Sequence, residues 1–285
     1  MLLLADGGST KCDWVLLNTS GEVLFHTQSK GLYPTVFKKE VLQERLVENT
    51  ELFRVKDIVD TIAFFGAGCG TPRPVEVLHE VFEQVFPNAA FTIHEDMMAA
   101  VYAVTTEPGI VCILGTGSNS CYFDGKKSHQ KVVSLGYTLM DEASGNYFGK
   151  RLLQDYFYKK MPNDIAIAFN EKYNLDPDTI KYNLYHSEQP NAYLASFGAF
   201  LFDWNPDNRY IRQLIIEGVE DFLDKRVLCY ERHEEVPVHF VGSIAYYAKE
   251  IIAQVSRRYE LQVGNFVKRP IDGLIHYFQK NRENS

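Results

Sequence analysis

Asp6-Gly7-Gly8-Ser9-Thr10-Lys11 is the first stretch whose residue types could do chemistry. Its glycines let the backbone take positive φ and come close to a ligand. Successive amide N–H groups in such a turn form a concavity for phosphate oxygens. A hydroxyl from Ser9 or Thr10 and the cation of Lys11 would add to that grip, and Asp6 could hold Mg2+ directly or through water. The same residues also suit an ordinary hairpin turn capped by an aspartate. Gly115-Thr116-Gly117-Ser118-Asn119 offers the same chemistry without the lysine. Neither loop is a Walker A motif or a full GxGxxG fingerprint, and Gly66-Ala67-Gly68-Cys69-Gly70 also fails the fingerprint. A nucleotide held between two domains needs a phosphate grip from each, so the two loops count for more together than singly.

Three further junctions place polar groups at the start of a helix. Asp96 follows an apolar strand and reads either as a helix N-cap or as a general base facing a cleft. Its neighbours read more plainly, His94 as a packed strand-end residue and Glu95 as a first-turn acid favoured by the helix dipole. Asp141-Glu142-Ala143-Ser144-Gly145 opens a helix with small residues that would let a ligand approach, and Asp141 could equally be only an N-cap. Val241-Gly242-Ser243 runs a buried strand straight into a helix, which aims amide groups at a ligand or is a plain turn. The remaining histidines lack metal-ligand spacing. The five cysteines, Cys12, Cys69, Cys112, Cys121 and Cys229, contain no CxxC pair and read as buried reduced thiols of a cytoplasmic protein.

These junctions need strands and helices to position them. The chain opens as a three-strand meander over Leu2–Ala5, Cys12–Leu17 and Glu22–Thr27, followed by a helix from about Lys38 to Phe53. A buried strand over Thr61–Phe65, a helix begun by Pro72 and Pro74, a strand over Ala90–Ile93 and a helix from Asp96 come next. The pattern then restarts with strands over Ile110–Leu114, Ser120–Phe123 and Lys131–Leu135. A helix-rich region follows, then a strand over Val236–Val241 and a short one at Leu261–Val263. Gly8, Ser9 and Cys12 recur as Gly117, Ser118 and Cys121 at one offset of 109, which suggests a duplicated domain. The break at Thr105–Gly109 divides the chain into residues 1–107, joined by a C-terminal helix over 270–285, and residues 108–269.

The chain has 285 residues, 46% of them hydrophobic and 13% aromatic, enough for two cores and against disorder as the main state. A net charge of −8 argues against nucleic acid as the main partner. No apolar stretch approaches the ~18 residues of a membrane span, and the apolar start Met1–Ala5 is too short for a signal sequence.

Taken in order, DGGSTK, a helix-opening Asp, GTGSN, MDEASG and VGS resemble the actin/Hsp70/sugar-kinase superfamily. Within it, the chain is most similar to the N-acetylglucosamine kinase and BadF/BadG/BcrA/BcrD-type ATPase family. The resemblance implies an α/β fold of two duplicated ribonuclease H-like domains around a central cleft. It implies an ATP-dependent kinase acting with Mg2+ on a hydroxyl of an amino sugar such as N-acetylglucosamine, at the 6-position. On that resemblance Gly7, Gly8, Ser9, Thr10 and Lys11 form one phosphate hairpin with Asp6 near the metal. Gly115, Thr116 and Gly117 form the second phosphate turn, and Gly242 and Ser243 match the adenosine motif. Asp96 matches the catalytic base, while Ser118, Asn119 and Asp141 match sugar-binding positions. A homodimer stays open. The chain departs from the family at Thr35, Val36 and Phe37, where the kinase offers Asn-His-Trp to the sugar. Leu135 and Met140 also flank a loop lacking the family's Trp. A BadF-type ATPase that activates a partner enzyme through a bridging iron–sulfur cluster is one alternative, and a non-catalytic sugar sensor is another.

Overall fold

Leu2–Ala5 and Trp14–Leu17 are unbroken apolar runs, so the strands there bury side chains on both faces of a sheet. The computed structural model describes residues 1–8, 10–205 and 207–283. The chain divides into two units: Met1–Thr105 with Arg269–Ser285, and Thr106–Lys268. Ser9 lies outside the described residues.

The first unit begins with the meander β1 (Leu2–Gly7), β2 (Lys11–Leu17) and β3 (Val23–Lys30). It continues through α1 (Lys39–Val47), α2 (Thr50–Val55), β4 (Thr61–Gly66), α3 (Pro72–Val85), β5 (Ala90–Glu95) and α4 (Asp96–Val104). The sheet order is β3-β2-β1-β4-β5, antiparallel across the meander and parallel from β1 to β5. One helix is expected over Lys38–Phe53, but two form. The break falls at Asn49, whose side chain accepts the Leu52 amide and starts α2 afresh. On one face of the sheet Leu3, Trp14, Leu16 and Phe64 pack with Leu42, Leu46, Leu78 and Phe82.

The second unit contains β6 (Gly109–Leu114), β7 (Ser118–Phe123) and β8 (Ser128–His129), then six helices. These are α5 (Gly145–Phe157), α6 (Asn163–Lys172), α7 (Pro177–Tyr185), α8 (Pro190–Gly198), α9 (Phe200–Asp203) and α10 (Arg209–Arg226). After them come β9 (Val238–Val241), α11 (Ser243–Tyr247), α12 (Lys249–Arg258) and β10 (Val263–Val267). The chain then returns to the first unit as α13 (Pro270–Glu283), whose Ile271, Leu274 and Ile275 cover the other face of the first sheet through Leu2, Leu4, Val15 and Phe65.

The second sheet has the order β10-β9-β6-β7-β8, with antiparallel β6-β7-β8 and parallel β6-β9-β10. That matches the first sheet strand for strand, so the fold is a duplicated α/β domain of the actin/Hsp70/sugar-kinase type. The offset of 109 is not what marks the duplication: Cys12 pairs with Gly7 at the start of β2, whereas Cys121 lies within β7 opposite Val111. The strand expected over Lys131–Leu135 does not form. Val133 and Leu135 are 73% and 60% exposed there, and β8 ends at His129.

Two consequences for stability arise here. Glu260 takes φ 56 just past α12, where the Leu261 amide reaches back to the Ser256 carbonyl in a Schellman turn. A side chain in that left-handed conformation costs about 1 kcal/mol, so Glu260→Gly should raise the urea midpoint by a corresponding amount. His239 on β9 is 5% exposed and accepts the Asn265 amide at Nδ1, 3.0 Å away. Burial holds its pKa below the ordinary histidine value. The unfolded chain therefore takes up a proton below about pH 6.5 that the folded chain refuses. Stability from this group is full above that pH and falls as the pH drops through it. A pH series of unfolding curves should show that slope, and His239→Gln should flatten it.

Candidate functional site

In the first unit the parallel strands end in register, with Gly7 beside Gly66 and Gly66 beside Glu95. Ligands of open α/β sheets gather outside the carboxyl ends of such strands. Here that edge carries the Gly7-Gly8 turn, the Gly66–Gly70 loop and Asp96. The Gly8 amide donates to the Lys11 carbonyl at 2.9 Å, closing the hairpin, and the Ala67 amide donates to the Gly7 carbonyl at 2.8 Å. Thr10 is tied to the next strand through its carbonyl, which accepts the Gly31 amide at 3.0 Å. The Lys11 ammonium lies 2.9 Å from Asp13, on a half-exposed side chain.

Asp96 is the first residue of α4, and Glu95, not Asp96, is the N-cap residue. The Glu95 side chain makes no capping bond, and it is the Asp96 carboxyl that meets first-turn amides. Desolvation, then the neighbouring Glu95 charge, pushes the Asp96 carboxyl up to about 6, against two opposing backbone hydrogen bonds. Asp6 is raised to about 7 by desolvation, then by the charges of Asp96 and Asp13, with Lys11 opposing. Two half-buried carboxylates thus lie where ionising one hinders the other. Among the described residues no group of three or more His, Cys, Asp or Glu could hold a metal. Mg2+ characteristically uses one or two carboxylates and takes its other oxygens from phosphates and water. The hard-oxygen, charge-strained setting of Asp6 fits that mode.

The loop Gly31–Phe37, where the chain departs from the family, packs on the Gly66–Gly70 loop. A Cβ on Gly68, which has φ 79, would run into the Tyr33 ring and lie 3.2 Å from Thr35 Oγ1. Buried Arg45 holds the Gly31–Phe37 loop from beneath, donating to the Gly31 carbonyl at 2.5 Å with its guanidinium 3.7 Å from the Phe37 ring centre. Cys69 is 5% exposed, and burial raises its thiol to about 12. A cluster-bridging role needs a presented thiolate, which this setting disfavours.

In the second unit Ile113 pairs with Val241, so Gly115 and Gly242 leave adjacent parallel strands at one sheet edge. Gly242 has φ 119 and donates its amide to the Val267 carbonyl at 2.9 Å. The Gly115 amide closes its own turn onto the Gly117 carbonyl at 3.0 Å. The carbonyls of Gly115 and Thr116 accept the Gly145 and Asn146 amides at 2.8 and 3.0 Å, locking the Gly loop to the first turn of α5. An opening of about 170 Å³ lies here, lined by Gly115, Thr116, Ser243, Ala199, Phe202 and Tyr247 among others. The α8–α9 residues were not legible as site residues. Their segment carries no motif, and only Tyr247, one helical turn after Ser243, had a spacing that could have pointed to it.

Asp141 adjoins the same loop. It takes φ 70 and Ala143 takes φ 55, while Ser144 is the N-cap of α5, its hydroxyl accepting the Tyr147 amide at 3.2 Å. Asp141 is thus not the helix cap. Its carboxyl is raised by desolvation and drawn back by the Ser118 amide, the Arg226 charge and the Asn146 side chain. A Cβ on Gly117 would come within 2.6 Å of the Asp141 carboxylate. Ser118 is 5% exposed, and its Oγ is buried without a protein partner. Asn119, next along the strand, projects to the other face, and its side-chain oxygen accepts the Ser120 amide at 2.9 Å. Ser118 and Asp141 are therefore together, and Asn119 is not placed with them.

No helix among the described residues is long and apolar enough to cross a membrane. No family model matches the chain. Among solved structures, a candidate N-acetylglucosamine kinase from Porphyromonas gingivalis is 32% identical, with 99% of each chain covered and a TM-score of 0.91. A candidate N-acetylglucosamine kinase from Chromobacterium violaceum shares the fold at 17% identity, over 97% of this chain and 98% of that one, with a TM-score of 0.73. A ROK family glucokinase from Streptomyces griseus, solved with glucose and AMPPNP, shares it at 12% identity over 99% and 100%, with a TM-score of 0.59. With a third of its residues identical to the Porphyromonas protein from end to end, the chain belongs to the N-acetylglucosamine kinase family of the actin/Hsp70/sugar-kinase superfamily.

Proposed function

We propose that the chain is an ATP-dependent kinase that phosphorylates the 6-hydroxyl of an amino sugar, N-acetylglucosamine being the leading acceptor. The observation that carries this reading is Asp96, set at the start of α4 beyond the glycine-bent strand ends, with a carboxyl raised to about 6. A base poised there is mostly ionised at neutral pH yet basic enough to take a proton from an attacking alcohol as transfer proceeds.

Gly7, Gly8, Ser9, Thr10 and Lys11 would hold phosphate oxygens from the first unit, and Gly115, Thr116 and Gly117 from the second. Gly242 and Ser243 would meet the nucleoside, the 170 Å³ opening taking part of it. Asp6 would hold Mg2+, which when bound neutralises charge on the phosphates. Ser118 and Asp141 would bind the acceptor's hydroxyl and amide groups. Phosphoryl transfer needs mainly positioning and charge stabilisation, so such a site requires no covalent intermediate.

A coupled assay of ADP release over N-acetylglucosamine, N-acetylmannosamine, glucosamine and glucose tests this. Release that depends on N-acetylglucosamine is expected. Tight sugar binding by calorimetry without any ADP release would instead mark a sensor.

A further inference from the structure

We propose that Arg226 is a positioning residue for the acceptor: it shapes residues 132–142 so that Asp141 is presented to the sugar. The inference rests on reading Asp141 as an acceptor ligand. Arg226 ends α10 and is 1% exposed. Its guanidinium meets the loop at three places. Nη1 donates to the Val132 carbonyl (3.4 Å), Nη2 to Met140 Sδ (3.3 Å) and Nε to Glu142 Oε2 (3.4 Å). Met140 Sδ also accepts the Leu135 amide at 3.3 Å, closing the loop on itself. At its other end Arg226 is fixed to β7, its carbonyl accepting the Ser120 hydroxyl at 2.6 Å. One residue thus ties the strand that carries Ser118 to the loop that carries Asp141.

Hydrophobic burial does little of this holding. Val133, Leu135 and Leu139 are 73%, 60% and 73% exposed, and only Tyr137 of the loop packs on the core. The loop leads into two residues of positive φ, Asp141 and Ala143, a conformation that persists only where its surroundings enforce it. A buried arginine is also a poor choice for stability alone, since an apolar side chain of similar volume often serves as well or better. Lys225, 3.6 Å from Glu142 Oε1, could partly neutralise that acid without Arg226. What the planar fork supplies and a methionine cannot is simultaneous contact with three points on one loop.

Arg226→Met and Arg226→Lys test the proposal, with Asp141→Asn alongside. Steady-state kinetics in both substrates and hydrogen exchange of residues 132–142 are the readouts. Both Arg226 variants should raise KM for N-acetylglucosamine by about 10- to 100-fold, the loss expected for hydrogen bonds to a charged group. KM for ATP should stay within about twofold, and exchange should quicken in the loop alone. If Asp141→Asn raises the sugar KM and both Arg226 variants leave it unchanged, Arg226 does not position the acceptor. The proposal also fails if the two KM values rise together with exchange across the whole unit, because Arg226 is then merely structural. An Asp141→Asn enzyme with an unchanged sugar KM would remove the premise instead, by showing that Asp141 is no acceptor ligand.

Discussion

Replacing Asp96 by asparagine is expected to cut kcat by about 10²- to 10⁴-fold while KM for ATP stays nearly unchanged. The substitution keeps the shape of the side chain and removes only its capacity to accept a proton. In the wild type a carboxyl raised to about 6 sets the acid limb of the pH profile. Below that pH the base is protonated and kcat/KM falls; above it the rate levels off. The limb should be absent from the residual activity of Asp96→Asn. The same variant should stabilise the protein. A raised carboxyl pKa means the folded state holds its proton more tightly than the unfolded state, so stability is present at low pH and lost as the pH rises through 6. At pH 8 the ionised, desolvated Asp96 costs on the order of 2–3 kcal/mol, which asparagine would recover. An inactive variant that melts higher than wild type at pH 8, but not at pH 4, would tie catalysis and strain to one carboxyl. Undiminished turnover would refute the assignment of the base.

The sequence revealed most of this where chemistry and local structure coincide. Asp96 stood out because a strand, an acid and a helix start follow one another, and the two glycine loops because both lie between apolar strands. Misreadings came where tertiary structure decides. Val132, Val133 and Leu135 are apolar side chains that suit a strand, yet the segment runs as a loop with the Val132 carbonyl turned to Arg226 and with Val133 and Leu135 facing solvent. Asn49 looked like the interior of one helix because its capping bond is visible only once α2 bends away. Nothing in the local sequence of Arg226, a cation in the last turn of α10, discloses that it is buried. Asn119 was grouped with Ser118 by motif, although strand geometry sends neighbours to opposite faces. The helix pair α8–α9 lies in a stretch that reads only as helix-rich, and its place beside Gly115 depends on long-range packing between α5 and α8, where Gly149 lies against Leu194.

Gly242→Ala is expected to be among the most damaging single-methyl changes available to the second unit. Gly242 combines φ 119 with ψ 168, a region essentially reserved for glycine, and an added Cβ would run into the Leu114 carbonyl. Neither neighbour can yield: Leu114 is hydrogen-bonded in the central strand β6, and the Gly242 amide is fixed to Val267. Conformational strain and overpacking together should cost about 2–6 kcal/mol. Two other glycines separate the causes. Gly136 has φ 81 with nothing within 4 Å of its would-be Cβ, so Gly136→Ala should carry the conformational cost alone. Gly115 has neither a positive φ nor a neighbour within 4 Å, so Gly115→Ala should leave stability almost unchanged. Any loss it causes must therefore come from a ligand. If Gly115 approaches the phosphates as proposed, KM for ATP should rise at least 10-fold at an unaltered melting temperature, with the sugar KM little affected. A Gly115→Ala enzyme with native nucleotide affinity would show that no phosphate comes close to that turn, and the assignment of the second loop would fall with it.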